Sequence, residues 1–206
     1  MLGTQDLAVF VVAGLLLNIT PGPDTLYIVG RSSSQGLRAG VAAALGVGAG
    51  ILVHISAAAV GVSALFAASA TAFTVLKLVG AAYLVYVGIS LMRLSAASVP
   101  ALQAAGLRAV FVKGFWTNVL NPKVALFFLA FLPQFVDPSA AHKTLALLFL
   151  GLVFNVNGTL WNLFVAWSAA HVGRVLVRGR AAAWFNRAVG AVFVLLGVRL
   201  ALSRSA

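Results

Sequence analysis

Asp24 is a carboxylate in a chain that has almost none. The 206 residues include three acidic side chains, Asp6, Asp24 and Asp137, against fourteen Lys and Arg. Asp24 alone falls within a long apolar stretch, in the run Asn18-Ile19-Thr20-Pro21-Gly22-Pro23-Asp24. Lys123 has a similar setting in Asn118-Val119-Leu120-Asn121-Pro122-Lys123. A carboxylate in an apolar interior can accept a substrate ammonium or carry a coupling proton; marking the start of a helix is its simpler role. A lysine at a helix start opposes the helix dipole and should need a partner, for which Asp24 is the candidate. Lys77, in a third apolar stretch, either joins them or snorkels outward.

The residues around these charges describe how they are held. Proline removes a backbone donor and clashes with the preceding turn, so Pro21-Gly22-Pro23 should end one short helix and begin another. Gly and Asn suit the cap position and Pro the first helical position. Gly22-Pro23-Asp24 and Asn121-Pro122-Lys123 therefore both read as cap, first residue and charged second residue.

Six apolar segments must position these turns, over about 6–31, 38–66, 71–94, 110–134, 143–170 and 182–202. Hydrophobic residues make up 62% of the chain and charged ones 8%, with a mean hydropathy of +1.07. A soluble domain carries about 25% charge. Positions 39–76 contain no Asp, Glu, Lys or Arg, and a membrane span needs about 20 apolar residues. The two-residue alternation of a membrane barrel is absent. The expected fold is an all-α membrane protein, one domain over 1–206. Its six transmembrane helices form two inverted three-helix repeats, about 1–95 and 108–206, with helices 1 and 4 broken at Pro. Three spans per half is an odd number, so the halves take opposite orientations, and interrupted helices in such repeats build substrate sites.

The net charge of +11 does not imply a nucleic-acid partner, because the basic residues stand at segment ends rather than on one face. With the N-terminus outside, nine Lys and Arg fall on inner loops, three of them within 173–180, and three on outer ends, as the positive-inside rule asks. Arg199 and Arg204 dissent at an outer C-terminus. Cysteine is absent and the three histidines are scattered, so no metal site or other cofactor is expected. An intramembrane enzyme would need a carboxylate pair or a Ser–His pair, and Asp24 has no acidic partner in its stretch.

His54 could relay protons, although packing is its first reading. Asn155, Asn157 and Asn162 with Gly158, and likewise Tyr83 and Tyr86, could line a cavity or bond helix to helix. Gly40, Ala44 and Gly48, with Ala42, Gly46 and Gly50 beside them, form small-residue ridges suited to close helix approach in lipid. The ridges could join helices within one chain or between copies in a homo-oligomer.

The chain resembles the family of lysine and homoserine/threonine exporters (LysE/RhtB). The likeness rests on the Asn18–Asp24 run, Gly30-Arg31-Ser32, Gly36-Leu37-Arg38-Ala39-Gly40, Lys77-x-x-Gly80-Ala81-Ala82-Tyr83-Leu84 with Gly88, and Asn118-x-x-Asn121-Pro122-Lys123 with Phe131-Leu132-Pro133-Gln134-Phe135. It implies export of amino acids or closely related small zwitterions from the cytoplasm across a bacterial inner membrane, coupled to the proton-motive force. The alternative is a passive channel or ion conductor. The expected substrate- or ion-binding residues are Asn18, Pro21, Gly22, Pro23, Asp24, Lys77, Asn118, Asn121, Pro122 and Lys123. The expected partners are a small-molecule amino acid and the lipid bilayer.

Overall fold

The computed structural model describes residues 3–68, 70–93, 102–137, 140–171 and 180–202. Most of the 95–106 linker and of the basic 173–180 loop lies outside the described residues. The chain is helical almost throughout. The first apolar segment is two helices, α1 (Leu7–Ile19) and α2 (Pro23–Gln35), followed by α3 (Leu37–Ala68) and α4 (Ala70–Arg93). The second half opens with α5 (Leu107–Val119) and the short α6 (Pro122–Leu126). A π turn (Phe127–Phe131) and a 3-10 turn (Leu132–Phe135) extend α6, and α7 (Lys143–His171) and α8 (Arg180–Leu202) complete the chain.

The element boundaries follow from local chemistry. Thr20, after α1, is extended at φ −64°, ψ 121°, a conformation that the following Pro21 favours. Pro23 and Pro122 each occupy the first position of a helix. α1 and α2 meet at a bend of 52°, and α5 and the Pro122–Phe135 segment at 47°. Gly36, between α2 and α3, has φ +80°, which only glycine adopts at no cost.

Among the described residues, Leu37–Gly61 of α3 and all of α7 are each long and apolar enough to cross a membrane. Each bent pair qualifies as well when counted as one span. The chain is thus an all-helical membrane protein.

Lipid gives helices no hydrophobic reason to associate, so close van der Waals packing must hold them. α3 is the central helix, packed on α5 and α7, while α4 packs on α8. The ridges of α3 are used inside the chain. A Cβ on Gly46 would overlap the backbone carbonyl of Phe111, and one on Gly50 would come within 2.7 Å of the Phe115 carbonyl, both on α5. On the other ridge, Gly40 faces Ser32 and Ala166, and Gly48 faces Thr159. Gly88 and Gly190 let α4 and α8 touch backbone to backbone. An aromatic cluster fills the space beneath the second break, with Phe127, Phe131 and Phe154 around Phe10 and Phe128.

Besides this helix packing, hydrogen bonds tie the first half to the linker and the second half at two levels. At the start of α1, Gln5 N–H donates to the Phe135 carbonyl at 2.9 Å and Asp137 N–H to that of Gly3 at 2.9 Å. At the far end of α2, the Tyr27 hydroxyl donates to the Val110 carbonyl at 2.9 Å. Arg31 Nη1 donates to the Gln103 carbonyl at 2.8 Å, and Gln35 Nε2 to that of Ala105 at 2.9 Å. Between these two levels lie the helix breaks.

Candidate functional site at two helix breaks

A helix that ends away from water leaves carbonyls without partners, which is costly unless other groups supply them. At the end of α1 the ammonium of Lys123 supplies them. Nζ donates to the carbonyls of Leu17 and Thr20, both at 3.1 Å. The ammonium thus sits at the negative end of the α1 dipole, which compensates for its place at the start of α6. Gly22 makes room for it, since a Cβ there would stand 3.3 Å from Nζ.

The second break is built around two asparagines. Asn121 caps α6 by accepting from the Lys123 backbone N–H at 3.0 Å through Oδ1. Its Nδ2 donates to Asp24 Oδ2 at 3.0 Å. Asn118 Nδ2 donates to the same oxygen at 2.8 Å. The Asn118 carbonyl accepts from His54 Nε2 at 3.0 Å, and the His54 ring stacks on Phe128 with centroids 6.0 Å apart. Thus Asp24 is tied to the second break, and Lys123 to the first. Lys123 lines the same cavity as Asp24, although its hydrogen bonds go to the carbonyls of Leu17 and Thr20.

A small cavity lies at this crossing. Its polar lining comes from Asn18, Asp24, Thr25, Asn118, Lys123 and Asn162. Leu17, Val47, Ile51, Val124 and Phe154 line the rest. About 20 Å³ is open to the centres of water molecules, room for roughly one water. Three buried polar atoms around it have no hydrogen-bond partner in the protein, namely Asp24 Oδ1, Asn118 Oδ1 and Asn18 Nδ2. Such atoms are costly in a dry interior. Two acceptors and a donor without partners, on residues that line one cavity together with Lys123, give the crossing groups of both polarities.

The LysE type translocator model matches residues 15–204. The chain belongs to the LysE type translocator family. An uncharacterized membrane protein of Pseudomonas aeruginosa is 33% identical to it over 97% of this chain and 96% of its own. The homoserine/homoserine lactone efflux protein of Salmonella typhimurium is 30% identical, with 96% of each chain covered. The leucine efflux protein of Salmonella typhimurium is 26% identical over 98% of each. No solved structure matches the chain. A LysE type translocator is a transporter, not an enzyme.

Within this LysE type translocator, the structure brings Asn18, Asp24, Asn118 and Lys123 to one cavity. Asn121 reaches Asp24 from beside it, and Gly22 lies against Lys123. Pro21, Pro23 and Pro122 shape the two breaks. Lys77 belongs to α4, and its side chain lies outside the described residues. Sequence reasoning about the site missed Leu17 and Thr20, whose contribution is backbone carbonyl and carries no residue-type signal. Of the polar group read around Gly158, Asn162 lines the cavity, and Gly158 faces Asn18 so closely that a Cβ would stand 3.0 Å from Asn18 Oδ1.

Proposed function

We propose that the protein exports amino acids, or closely related small zwitterions, from the cytoplasm across the bacterial inner membrane, driven by the proton-motive force. One observation carries this reading. Asp24, which lines the cavity with Lys123, has one carboxylate oxygen held by Asn118 and Asn121, while the other is buried without a partner. A free carboxylate oxygen suits a substrate ammonium or a proton, and a nearby cation suits a carboxylate. The homoserine and leucine efflux proteins among the relatives support export as the direction and amino acids as the cargo.

In this proposal the chain crosses the membrane six times as two inverted halves, with both termini outside. The bent pairs α1–α2 and α5–α6 are the interrupted helices of the two halves. Asn18, Pro21, Gly22, Pro23, Asp24, Asn118, Asn121, Pro122 and Lys123 form or shape the binding region, with Lys77 as a further contributor. The small size of the cavity supports a carrier over a channel, because a conducting pore needs a continuous path and this site holds about one water.

The test is efflux from proteoliposomes containing the purified chain, loaded with labelled amino acids and given an imposed pH gradient. Gradient-dependent flux is expected for the wild type and loss of that flux for Asp24→Asn, with the variant eluting as folded protein. Absence of flux for every amino acid in folded wild-type protein would overturn the proposal. Gradient-independent flux would replace the coupled carrier with a passive one.

A further inference from the structure

We propose, resting on the export reading above for what Asp24 does, that His54 is a positioning residue of the site. From α3 it pins both sides of the second helix break and so keeps the amides of Asn118 and Asn121 on Asp24.

The turn between α5 and α6 hangs on one carbonyl. The Asn118 carbonyl accepts from the Asn121 backbone N–H at 2.8 Å, which closes the turn. It accepts also from His54 Nε2, at 3.0 Å. The two residues joined by the first of these bonds are the ones whose side-chain amides hold Asp24 Oδ2. Both are buried, as is His54, so water is not at hand to replace a lost donor. Beyond the break, the His54 ring stacks on Phe128 with an interplanar angle of 22°. Phe128 belongs to the π turn, a geometry found mostly as single turns and frequently at functional sites. His54 therefore touches the chain before Pro122 and after it, without itself lining the cavity.

The spacing along α3 brings His54 to this place. Val47, Gly50, Ile51 and His54 are separated by three, one and three residues, which puts them on one helix face. Val47 and Ile51 line the cavity, and a Cβ on Gly50 would stand 2.9 Å from Asn118 Cβ. One face of α3 thus backs the cavity and the second break together. A carbonyl only accepts, so His54 Nε2 carries the proton. It carries one in the neutral tautomer and in the imidazolium alike, so the tie needs a donor at that atom and no exchange of protons. A proton relay would need the exchange.

Two variants separate these requirements. His54→Gln places an N–H donor the same number of bonds from the backbone and does not titrate, whereas His54→Phe keeps a ring for Phe128 and has no donor. Hydrogen–deuterium exchange of peptides covering 115–126, in detergent, should run at least about tenfold faster in His54→Phe than in wild type, as loss of one buried hydrogen bond implies. Exchange in His54→Gln should stay near wild type. In proteoliposomes with an imposed pH gradient, the labelled protein amino acids are supplied in turn. For those carried, His54→Phe should raise the half-saturation concentration about tenfold with the maximal rate within about twofold, the mark of weakened binding. His54→Gln should keep both values and remain gradient-driven. Recovery of fold and flux by His54→Gln distinguishes a donor requirement from a packing one even where His54→Phe does not fold. Exchange in His54→Phe equal to wild type, or in His54→Gln as fast as in His54→Phe, would overturn the tie and leave the export reading untouched. Loss of gradient drive in His54→Gln with exchange unchanged would make His54 a relay and overturn the positioning role. Flux for no amino acid in folded wild-type protein would overturn the export reading, and the exchange measurement would still decide whether His54 holds the turn.

Discussion

Asp24 and Lys123, each the second residue of the helix that follows a break, reach into each other's breaks. The carboxylate of Asp24 takes two amide donors from Asn118 and Asn121 in the second half. The ammonium of Lys123 takes the carbonyls of Leu17 and Thr20 in the first. Each charge therefore settles polar groups that the other half's interruption created. The exchange is reciprocal in geometry but not in chemistry, because one side uses side-chain amides and the other main-chain carbonyls.

Lys123→Met should remove both bonds to α1 and leave two carbonyls unsatisfied in an apolar setting. The expected cost is about 2–4 kcal/mol, with loss of flux. Lys123→Arg, which keeps the charge and has more donors, should recover part of the stability. Thermal unfolding in detergent, followed by size-exclusion chromatography, reads the first effect. An unchanged melting temperature in Lys123→Met would remove the capping role.

Asn121 performs two tasks that substitution can separate. Asn121→Ser retains a good helix cap but lacks the amide that reaches Asp24, so stability should stay near wild type while transport falls. Asn121→Ala loses both and should melt lower by about 1–2 kcal/mol. Equal transport by wild type and Asn121→Ser would show that the Asp24 contact is dispensable.

Gly46→Leu should be among the most damaging single changes, because Phe111 backbone occupies the space a side chain needs. Overpacking costs about 1–3 kcal/mol when neighbours can yield, and a backbone carbonyl yields less. Gly106→Ser is the matched control. Nothing lies within 4 Å of a Cβ at that position, and serine is a good cap for α5. Folded yield after solubilisation distinguishes the two, and comparable yields would contradict the close α3–α5 contact.

Arg31→Lys should loosen the far end of α2. Arg31 is 5% exposed and uses Nε on the Tyr27 hydroxyl and Nη1 on Gln35 and the Gln103 carbonyl. Lysine cannot reproduce that fork. Limited proteolysis of the segment around Gln103 should accelerate in Arg31→Lys, and a rate equal to wild type would show that the guanidinium does not hold the segment.

The prolines made the breaks legible in the sequence, and the scarcity of acids singled out Asp24. Proline acts through φ and a missing donor, which are properties of the residue itself. The partners of Lys123 were not legible, since carbonyls at Leu17 and Thr20 are the same in every residue. The sequence pointed to Asp24 as that partner because it weighs side-chain charge and not the dipole of a helix end. The π turn at Phe127–Phe131 was likewise hidden, as nothing in Phe-Phe-Leu-Ala-Phe distinguishes it from an α-helix. His54 could be read as a packing residue or a relay. It does stack on Phe128, yet its bond to the Asn118 carbonyl also ties it to the residue that holds Asp24.

The separation of Asp24 from its amide donors, 94 and 97 residues along the chain, has a consequence for biogenesis. At about 5–20 residues per second, Asp24 is made roughly 5–20 s before Asn118 and Asn121 exist. Throughout that interval the first half holds a carboxylate with no mate, and the end of α1 lacks the ammonium that will cover it. The hydrogen bonds of the site close only once the second half exists, so the last stage of assembly and the completion of the site are one event.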